Sequence, residues 1–162
     1  MKKYFPLFAV MLLLSTLACN KPQDDTSPDN PFSLKCKIDG HDFASEIVLM
    51  SVGGKLTKKG EYYGISGTDK DGNGISFWLE GPLEEGTFVT QHLVLGQETY
   101  IRYQQVSPFQ AWTTTEGNGL GTITIEKNLA TYVEGTFSFT GINPVDGTQK
   151  VFTSGSFKVQ KL

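Results

Sequence analysis

The C-terminal stretch Gly135–Gln160 constrains the fold most, because its large apolar residues recur at every second position. In GTFSFTGINPVDGTQKVFTSGSFKVQ, Phe137 and Phe139 alternate with small polar residues, and Phe157 and Val159 do the same further on. A period of two is typical of a half-buried strand, since successive side chains point to opposite faces. The intervening NP and DG dipeptides supply turn chemistry. The sequence therefore predicts a long antiparallel hairpin with a phenylalanine-lined inner face, on which Val151, Thr153 and Gly155 also fall.

The rest of the chain after Phe32 repeats this pattern in shorter runs, and 18 glycines mark turns between them. No helical apolar period is sustained after the first 18 residues, although one short helical turn within Ser45–Met50 is an alternative for that segment. Gly53-Gly54 is expected to end a strand. We predict a single antiparallel β-sandwich or flattened barrel of about 8–10 strands. The predicted strands before the hairpin are Phe32–Ile38, His41–Met50, Tyr62–Gly67, Ile75–Leu79, Gly86–Val89, Leu93–Leu95, Thr99–Val106, Phe109–Thr114 and Leu120–Ile125.

The N-terminus has the pattern of an export signal. Two lysines precede the apolar run Phe5–Leu14, and Ala18 stands directly before Cys19. The run is too short to remain as a transmembrane helix, so residues 1–18 are predicted to be a signal peptide. A small residue followed by cysteine resembles a lipobox, in which the thiol of Cys19 receives a diacylglycerol. We expect a membrane anchor there, and ordinary secretion after cleavage near Ala18 is the alternative.

Residues 19–31 form a predicted acidic tether between the lipidated cysteine and the β domain, which spans residues 32–162. Proline and aspartate dominate this stretch, and it holds no large apolar side chain. The chain carries a formal net charge of −3. An acidic balance argues against nucleic acid as a partner, since that requires a basic patch.

Three segments together resemble a family of small uncharacterised lipoproteins from Bacteroidota. They are GTITI at Gly121–Ile125, GTFSFT at Gly135–Thr140 and TSGSFKV at Thr153–Val159. The resemblance implies a compact antiparallel β fold on a lipid anchor at the outer membrane, facing either the periplasm or the cell surface. The QDD run at residues 23–25 resembles the export signal of surface-displayed lipoproteins, or is simply a polar linker. The resemblance implies no activity.

The segment DKDGNGISFWLE, Asp69–Glu80, matches the pattern of an EF-hand calcium loop. Asp69, Asp71 and Asn73 would supply oxygen ligands. The flanking segments read as strands rather than helices, however, and in an extended chain Glu80 would lie about 20 Å from Asn73, too far to share an ion. A hairpin turn is therefore the favoured interpretation, and a weak calcium site on the three loop residues is the alternative. No other cofactor is expected.

No recognisable catalytic motif is present in the sequence. Cys36 shares a predicted strand face with apolar residues and is expected to be a buried thiol. His41 and His92 lie far apart and outside any metal-spaced cluster. Glu84-Glu85 sits in a predicted turn, although paired carboxylates for a hydrolase are spatial and escape a sequence pattern. We expect a protein that is not an enzyme, and a hydrolase is the remote alternative.

Two tryptophans are the remaining candidates for a binding surface. Trp78 alternates with Phe77 and Leu79, and Trp112 alternates with Phe109 and Ala111. If those neighbours face inward, both indoles face outward, and Tyr62 and Tyr100 would join them. Such an aromatic platform suits sugar rings or a protein partner. The alternatives are a second buried layer and a barrel interior that carries a small ligand.

Overall fold

The computed structural model describes residues 31–57, 60–90, 99–114 and 120–161, with the backbone alone for residues 52–57 and 60–61. These residues form eleven antiparallel strands and no helix. The all-β antiparallel prediction is confirmed, and the described residues alone form eleven strands where about eight to ten were expected. The strands are β1 Ser33–Ile38, β2 His41–Ala44, β3 Ile47–Thr57, β4 Gly60–Thr68, β5 Gly74–Glu80, β6 Gly86–Val89, β7 Tyr100–Val106, β8 Phe109–Thr113, β9 Gly121–Asn128, β10 Tyr132–Ile142 and β11 Gln149–Gln160.

The strands form one curled sheet in the order β2-β1-β11-β10-β8-β7-β5-β4-β3. Strand β10 is the branch point: its first part pairs with β9, which in turn pairs with β6, and its last residue, Ile142, pairs with Thr113 of β8. The curl brings β1 back against β4, where a Cβ built on Gly67 would lie 2.8 Å from the Cβ of Leu34. The sheet therefore wraps around an enclosed inner face.

Aromatic side chains fill this inner face. Phe77 of β5 lies 4.7 Å from Phe137 and 5.4 Å from Phe157, measured between ring centroids, which joins β5 to the opposite side of the curl. Phe139 and Phe152 are nearly parallel at 3.8 Å. Together with buried aliphatic residues such as Leu34, Ile65 and Ile101, these rings form a continuous core.

The C-terminal hairpin is present, but its second strand changes face in the middle. Ser154 has a φ of 52°, and the register of β11 slips beside it against both β1 and β10. A bulge of this kind inserts one residue, so on its two sides opposite sets of alternating residues face inward. Phe157 and Val159 face inward as predicted, whereas Phe152 is buried and Val151 is 46% exposed. The prediction that Val151 and Thr153 share the inner face is therefore wrong.

For the segment after β2, the alternative of a helical turn and the prediction that Gly53-Gly54 ends the strand are both wrong. Residues 47–50 are extended and pair with β4, so no helical turn forms there. The strand also runs through Gly53-Gly54 and accommodates the pair as an irregularity in its register, since glycine in a strand often marks such a site. The predicted strand Leu93–Leu95 lies outside the described residues. No helix in the described part of the chain is long and apolar enough to cross a bilayer.

Candidate functional site

The outer surface of β5 and β7 carries a pair of aromatic rings. Trp78 and Tyr100 are direct cross-strand neighbours, and their ring planes differ by 25° at a centroid distance of 6.4 Å. Both side chains lie on the outer face, because the alternate residues Phe77, Leu79 and Ile101 face the core, and both are half-buried there. Burial raises the pKa of the Tyr100 hydroxyl, and the positive charge of Arg102 partly offsets that rise. The outward orientation predicted for Trp78 follows from the same alternation.

The indole of Trp78 leans across the sheet because the position beside it is a glycine. Gly64 is the cross-strand neighbour of Trp78 on β4. A Cβ built on Gly64 would lie 3.0 Å from the Cζ3 of the indole and 2.6 Å from the Oγ of Ser51. The ring therefore occupies the space that a side chain would take. The edge of the benzene ring of the indole lies over β4 at Gly64, while Tyr100 stacks beside the indole on β7.

A shallow polar depression of about 230 Å³ adjoins this aromatic pair. Arg102 follows Tyr100 by two residues on β7, so both side chains lie on the outer face, and Ser76 is the cross-strand neighbour of Arg102. Among the residues that line the depression, only Arg102 carries a charge. The lining residues are Ser66, Gly67, Thr68, Gly72, Gly74, Ile75, Ser76, Arg102 and Gln104.

Trp112 does not belong to this surface, and the prediction that it faces outward is wrong. It is 3% exposed and lies 5.7 Å from Tyr103, measured between ring centroids. Its indole nitrogen donates a hydrogen bond of 3.1 Å to the hydroxyl of Thr148. The orientation of Trp112 was inferred from Phe109, which was taken to face the core. Phe109 instead lies at the hairpin end of β8 and is 66% exposed. Pairing with the inward Tyr103 sets the orientation of Trp112.

The candidate calcium loop between β4 and β5 is held by its own hydrogen bonds. One carboxylate oxygen of Asp69 accepts from the backbone N–H groups of Asp71 (2.9 Å) and Asn73 (2.8 Å), and the other accepts from the Asn73 side-chain amide (3.0 Å). The side-chain oxygen of Asn73 accepts from the backbone N–H of Val106 (3.1 Å) and so ties the loop to β7. Gly72 adopts a positive φ of 83° in the turn. These contacts are those of an Asx turn, in which a side chain replaces a backbone acceptor.

The position of Glu80 separates this loop from an EF-hand. Residues 74–80 are one strand, β5, and Glu80 is at the end opposite the loop. The oxygens of Asp69 and Asn73 are already hydrogen-bond acceptors, and the Asp71 carboxylate lies 3.5 Å from the Lys70 ammonium. No group of three His, Cys, Asp or Glu side chains that could hold a metal was found among the described residues. The loop geometry is that of a turn.

A family model places the chain among known sequences. The model for a domain of unknown function, DUF6252, matches residues 30–159. The chain belongs to the DUF6252 family. No curated protein and no solved structure matches it. The match spans all eleven strands except Gln160, the last residue of β11, and the family brings no assigned chemistry with it.

The remaining candidate site residues that the structure describes do not form a common site. Cys36 is buried on the inner face of β1, where burial raises the pKa of its thiol to about 12, as expected of a packing residue rather than a nucleophile. His41 is exposed at the start of β2. Glu85 accepts a hydrogen bond of 3.2 Å from the backbone N–H of Asn128. Cys19 and His92 lie outside the described residues.

Sequence reasoning missed Arg102 and Gly64. The signal for Arg102 was present in YIRYQQ, where Tyr100, Arg102 and Gln104 alternate with the apolar Ile101 and with Tyr103. The same period of two that identified Trp78 therefore also identifies the outward residues of β7. The signal for Gly64 was weaker, because its role depends on which strand lies next to Trp78, and pairing is not written in the local sequence.

Proposed function

We propose that this protein is a non-catalytic binding module whose binding surface is the outer face of β4, β5 and β7. The observation that carries the proposal is the Trp78–Tyr100 pair, two half-buried aromatic rings on the outer face, with the Ser76–Arg102 row on one side and the Tyr62–Glu80 row on the other. Aromatic rings placed outward on a sheet offer large, rigid contact area at low entropic cost, which suits a saccharide or a protein partner. The rings of the inner face pack against one another instead.

The filled inner face argues for surface binding over ligand carriage inside the sheet. A carrier requires room between the walls, whereas Phe77 bridges the curl through its contacts with Phe137 and Phe157. Phe139 and Phe152 stack at 3.8 Å beside them. These rings occupy the space that a carried ligand would need, so the outer aromatic pair is the better candidate.

The export signal and the Ala18-Cys19 pair support the further proposal that the module is a lipoprotein of the cell envelope, anchored in the outer membrane through Cys19. One diacylglycerol alone supplies two acyl chains, and each buried methylene contributes about 0.8 kcal/mol of membrane affinity. Metabolic labelling with radioactive palmitate should label the wild-type protein and leave Cys19→Ser unlabelled. Equal labelling of both, or of neither, would reject the anchor.

Affinity electrophoresis of the full-length protein, purified in mild detergent, through gels that contain neutral or acidic polysaccharides tests the binding function. Retardation of the wild type by at least one polysaccharide is expected, and Trp78→Ala should abolish it. Phe109→Ala is the matched control, because it removes an exposed aromatic ring from a different part of the surface. Retardation that Trp78→Ala leaves unchanged, or that no gel produces, would reject a saccharide platform.

A further inference from the structure

We propose that the surface recognises an anionic saccharide: its ring packs on Trp78 and Tyr100, and its carboxylate or sulfate binds the guanidinium of Arg102. This inference rests on the proposed binding function and adds the chemical class of the ligand. It is carried by the position of Arg102 and by the absence of a partner for its guanidinium among the described residues.

The spacing of the outer face suits a ring that bears a charged substituent. Trp78 and Tyr100 form one cross-strand row, and Ser76 and Arg102 form the next. Residues two apart on a strand are separated by about 6.6 Å, so the guanidinium begins one row beyond the aromatic pair. A sugar that lies over the aromatic row therefore directs an exocyclic group toward Arg102.

The guanidinium of Arg102 makes no hydrogen bond and no ion pair with any residue that the structure describes. Several lysines differ in this respect: Lys37 pairs with Asp42, Lys127 and Lys158 with Glu134, and Lys150 with Asp39. Arg102 is half-buried nonetheless. A planar guanidinium has five donors arranged to bind a carboxylate or a similar oxyanion through two parallel bonds. A carboxylate or sulfate of a bound ligand would supply acceptors for these donors.

The rest of the depression is polar and uncharged. Ser66 and Ser76 contribute hydroxyl groups, and Gln104 contributes an amide that can both donate and accept. Groups of this kind match sugar hydroxyls. Because the chain as a whole is acidic, with a net charge of −3, general electrostatic attraction does not favour an anion. Recognition has to be local, and Arg102 supplies the positive charge in the lining.

The carboxylate and the sulfate are distinguished by the choice of probe. The chain has two tryptophans, and the Trp112→Phe variant retains only Trp78. The fluorescence emission of this variant therefore reports on the aromatic row. This full-length protein is titrated with trigalacturonate, with its methyl ester, and with a carrageenan oligosaccharide that bears sulfate but no carboxylate. We expect at least one anionic probe to bind roughly tenfold more tightly than the methyl ester, as one charge-assisted hydrogen-bond pair implies.

Substitution of Arg102 then tests the assignment. In the same Trp112→Phe protein, Arg102→Gln should lower the affinity for the anionic probe by roughly tenfold and leave the affinity for the methyl ester unchanged. Arg102→Lys should retain part of the preference for the anionic probe. Lys127→Gln is the matched control, since it removes one positive charge from β9 and should not alter affinity. The comparison of acid and methyl ester on the parent protein needs no substitution at Arg102, so the proposal remains testable if Arg102→Gln does not fold.

Each outcome separates this inference from the proposed function. Equal affinity for the acid and the methyl ester, unchanged by Arg102→Gln, would overturn the anionic assignment and leave a neutral saccharide platform. Binding of the acid that neither Arg102→Gln nor Tyr100→Ala alters would place the ligand elsewhere and overturn both proposals. Failure of every saccharide to bind would overturn this inference and the saccharide form of the proposed function.

Discussion

Strands β5 and β7 carry aromatic residues on both of their faces, and the two sets have different surroundings. On the inner face, Phe77 is fully buried and Tyr103 contacts the rings of Phe152 and Trp112. On the outer face, Trp78 and Tyr100 stack on each other, with Gly64 beside the indole on β4 and the Ser76–Arg102 pair in the adjacent row. The inner rings have neighbours on every side, whereas each outer ring leaves a side open. The comparison separates residues that stabilise the fold from residues that are available to a ligand.

The largest expected loss of stability comes from removing an aromatic ring of the inner face. Phe77→Ala should lower the free energy of unfolding by about 3–5 kcal/mol, because a fully buried ring at the crossing of the curl leaves a cavity that the sheet cannot close. Its sequence neighbour provides the control: Trp78→Ala should cost about 1 kcal/mol, since the indole is only partly buried. Urea denaturation monitored by circular dichroism measures both. Similar losses for the two variants would remove the distinction between the faces.

A smaller effect is expected in the loop between β4 and β5. Asp69→Ala should destabilise the protein by about 1–2 kcal/mol, because two backbone N–H groups and the Asn73 amide lose their acceptor. Asp71→Ala removes an equal charge but only an exposed contact with Lys70, and should change stability by less than about 0.5 kcal/mol. Thermal unfolding with and without calcium is the measurement. A calcium-dependent rise in melting temperature, lost in both variants, would instead establish a metal site.

Gly64→Ala sharpens the comparison on the outer face. The added methyl group meets the edge of the indole and the Ser51 hydroxyl, both of which can move, so the loss of stability should stay below about 1 kcal/mol. The indole is displaced nonetheless, and we expect weaker saccharide binding in the titration. Gly147→Ala, in the β10–β11 loop, is a control for loss of stability alone: its φ of 73° disfavours a side chain although the added Cβ meets no atom within 4 Å, so it should destabilise the protein without weakening binding. Unchanged binding by Gly64→Ala would show that the position of the indole does not matter.

The titration of the Cys36 thiol has the smallest expected effect on stability at neutral pH. Its thiol has a pKa of about 12 in the folded protein, because burial disfavours the thiolate, against an ordinary value of 9.0. The unfolded chain therefore releases this proton first, and the contribution of Cys36 to stability, complete below pH 9, is lost as the pH rises toward 12. Between pH 8 and pH 10, urea denaturation should show a larger loss of stability for the wild type than for Cys36→Ala. Parallel pH profiles would contradict the burial of this thiol.

The sequence was sufficient to predict the fold class and the inward face of most strands, because a period of two is local information. Phe77, Cys36 and Phe137 are inward as their alternation predicts. Val151 and Thr153 were assigned to the wrong face because one residue, Ser154, adopts a positive φ, and the bulge there reverses which residues of β11 before it face inward. A serine carries no signal for that conformation, so the bulge could not be read from the chain.

The candidate site was only half predictable for a similar reason. Trp78 was identified by alternation with its own neighbours, but Trp112 was misassigned because its neighbour Phe109 is exposed at a hairpin end. The position of Arg102 beside the aromatic pair depends on the pairing of β5 with β7, across the 19 residues that separate the two strands in the chain. Pairing between strands is a tertiary property, and it brings the guanidinium and the rings together.

The division between the two faces is tested most directly by acrylamide quenching of tryptophan fluorescence, because the protein has two tryptophans and the account places one on each side. Trp112→Phe leaves Trp78, and Trp78→Phe leaves Trp112. We predict red-shifted emission and efficient quenching for Trp78, and blue-shifted emission with weak quenching for the buried Trp112. Equal quenching of the two variants, or stronger quenching of Trp112, would contradict the assignment of the outer face as the binding surface.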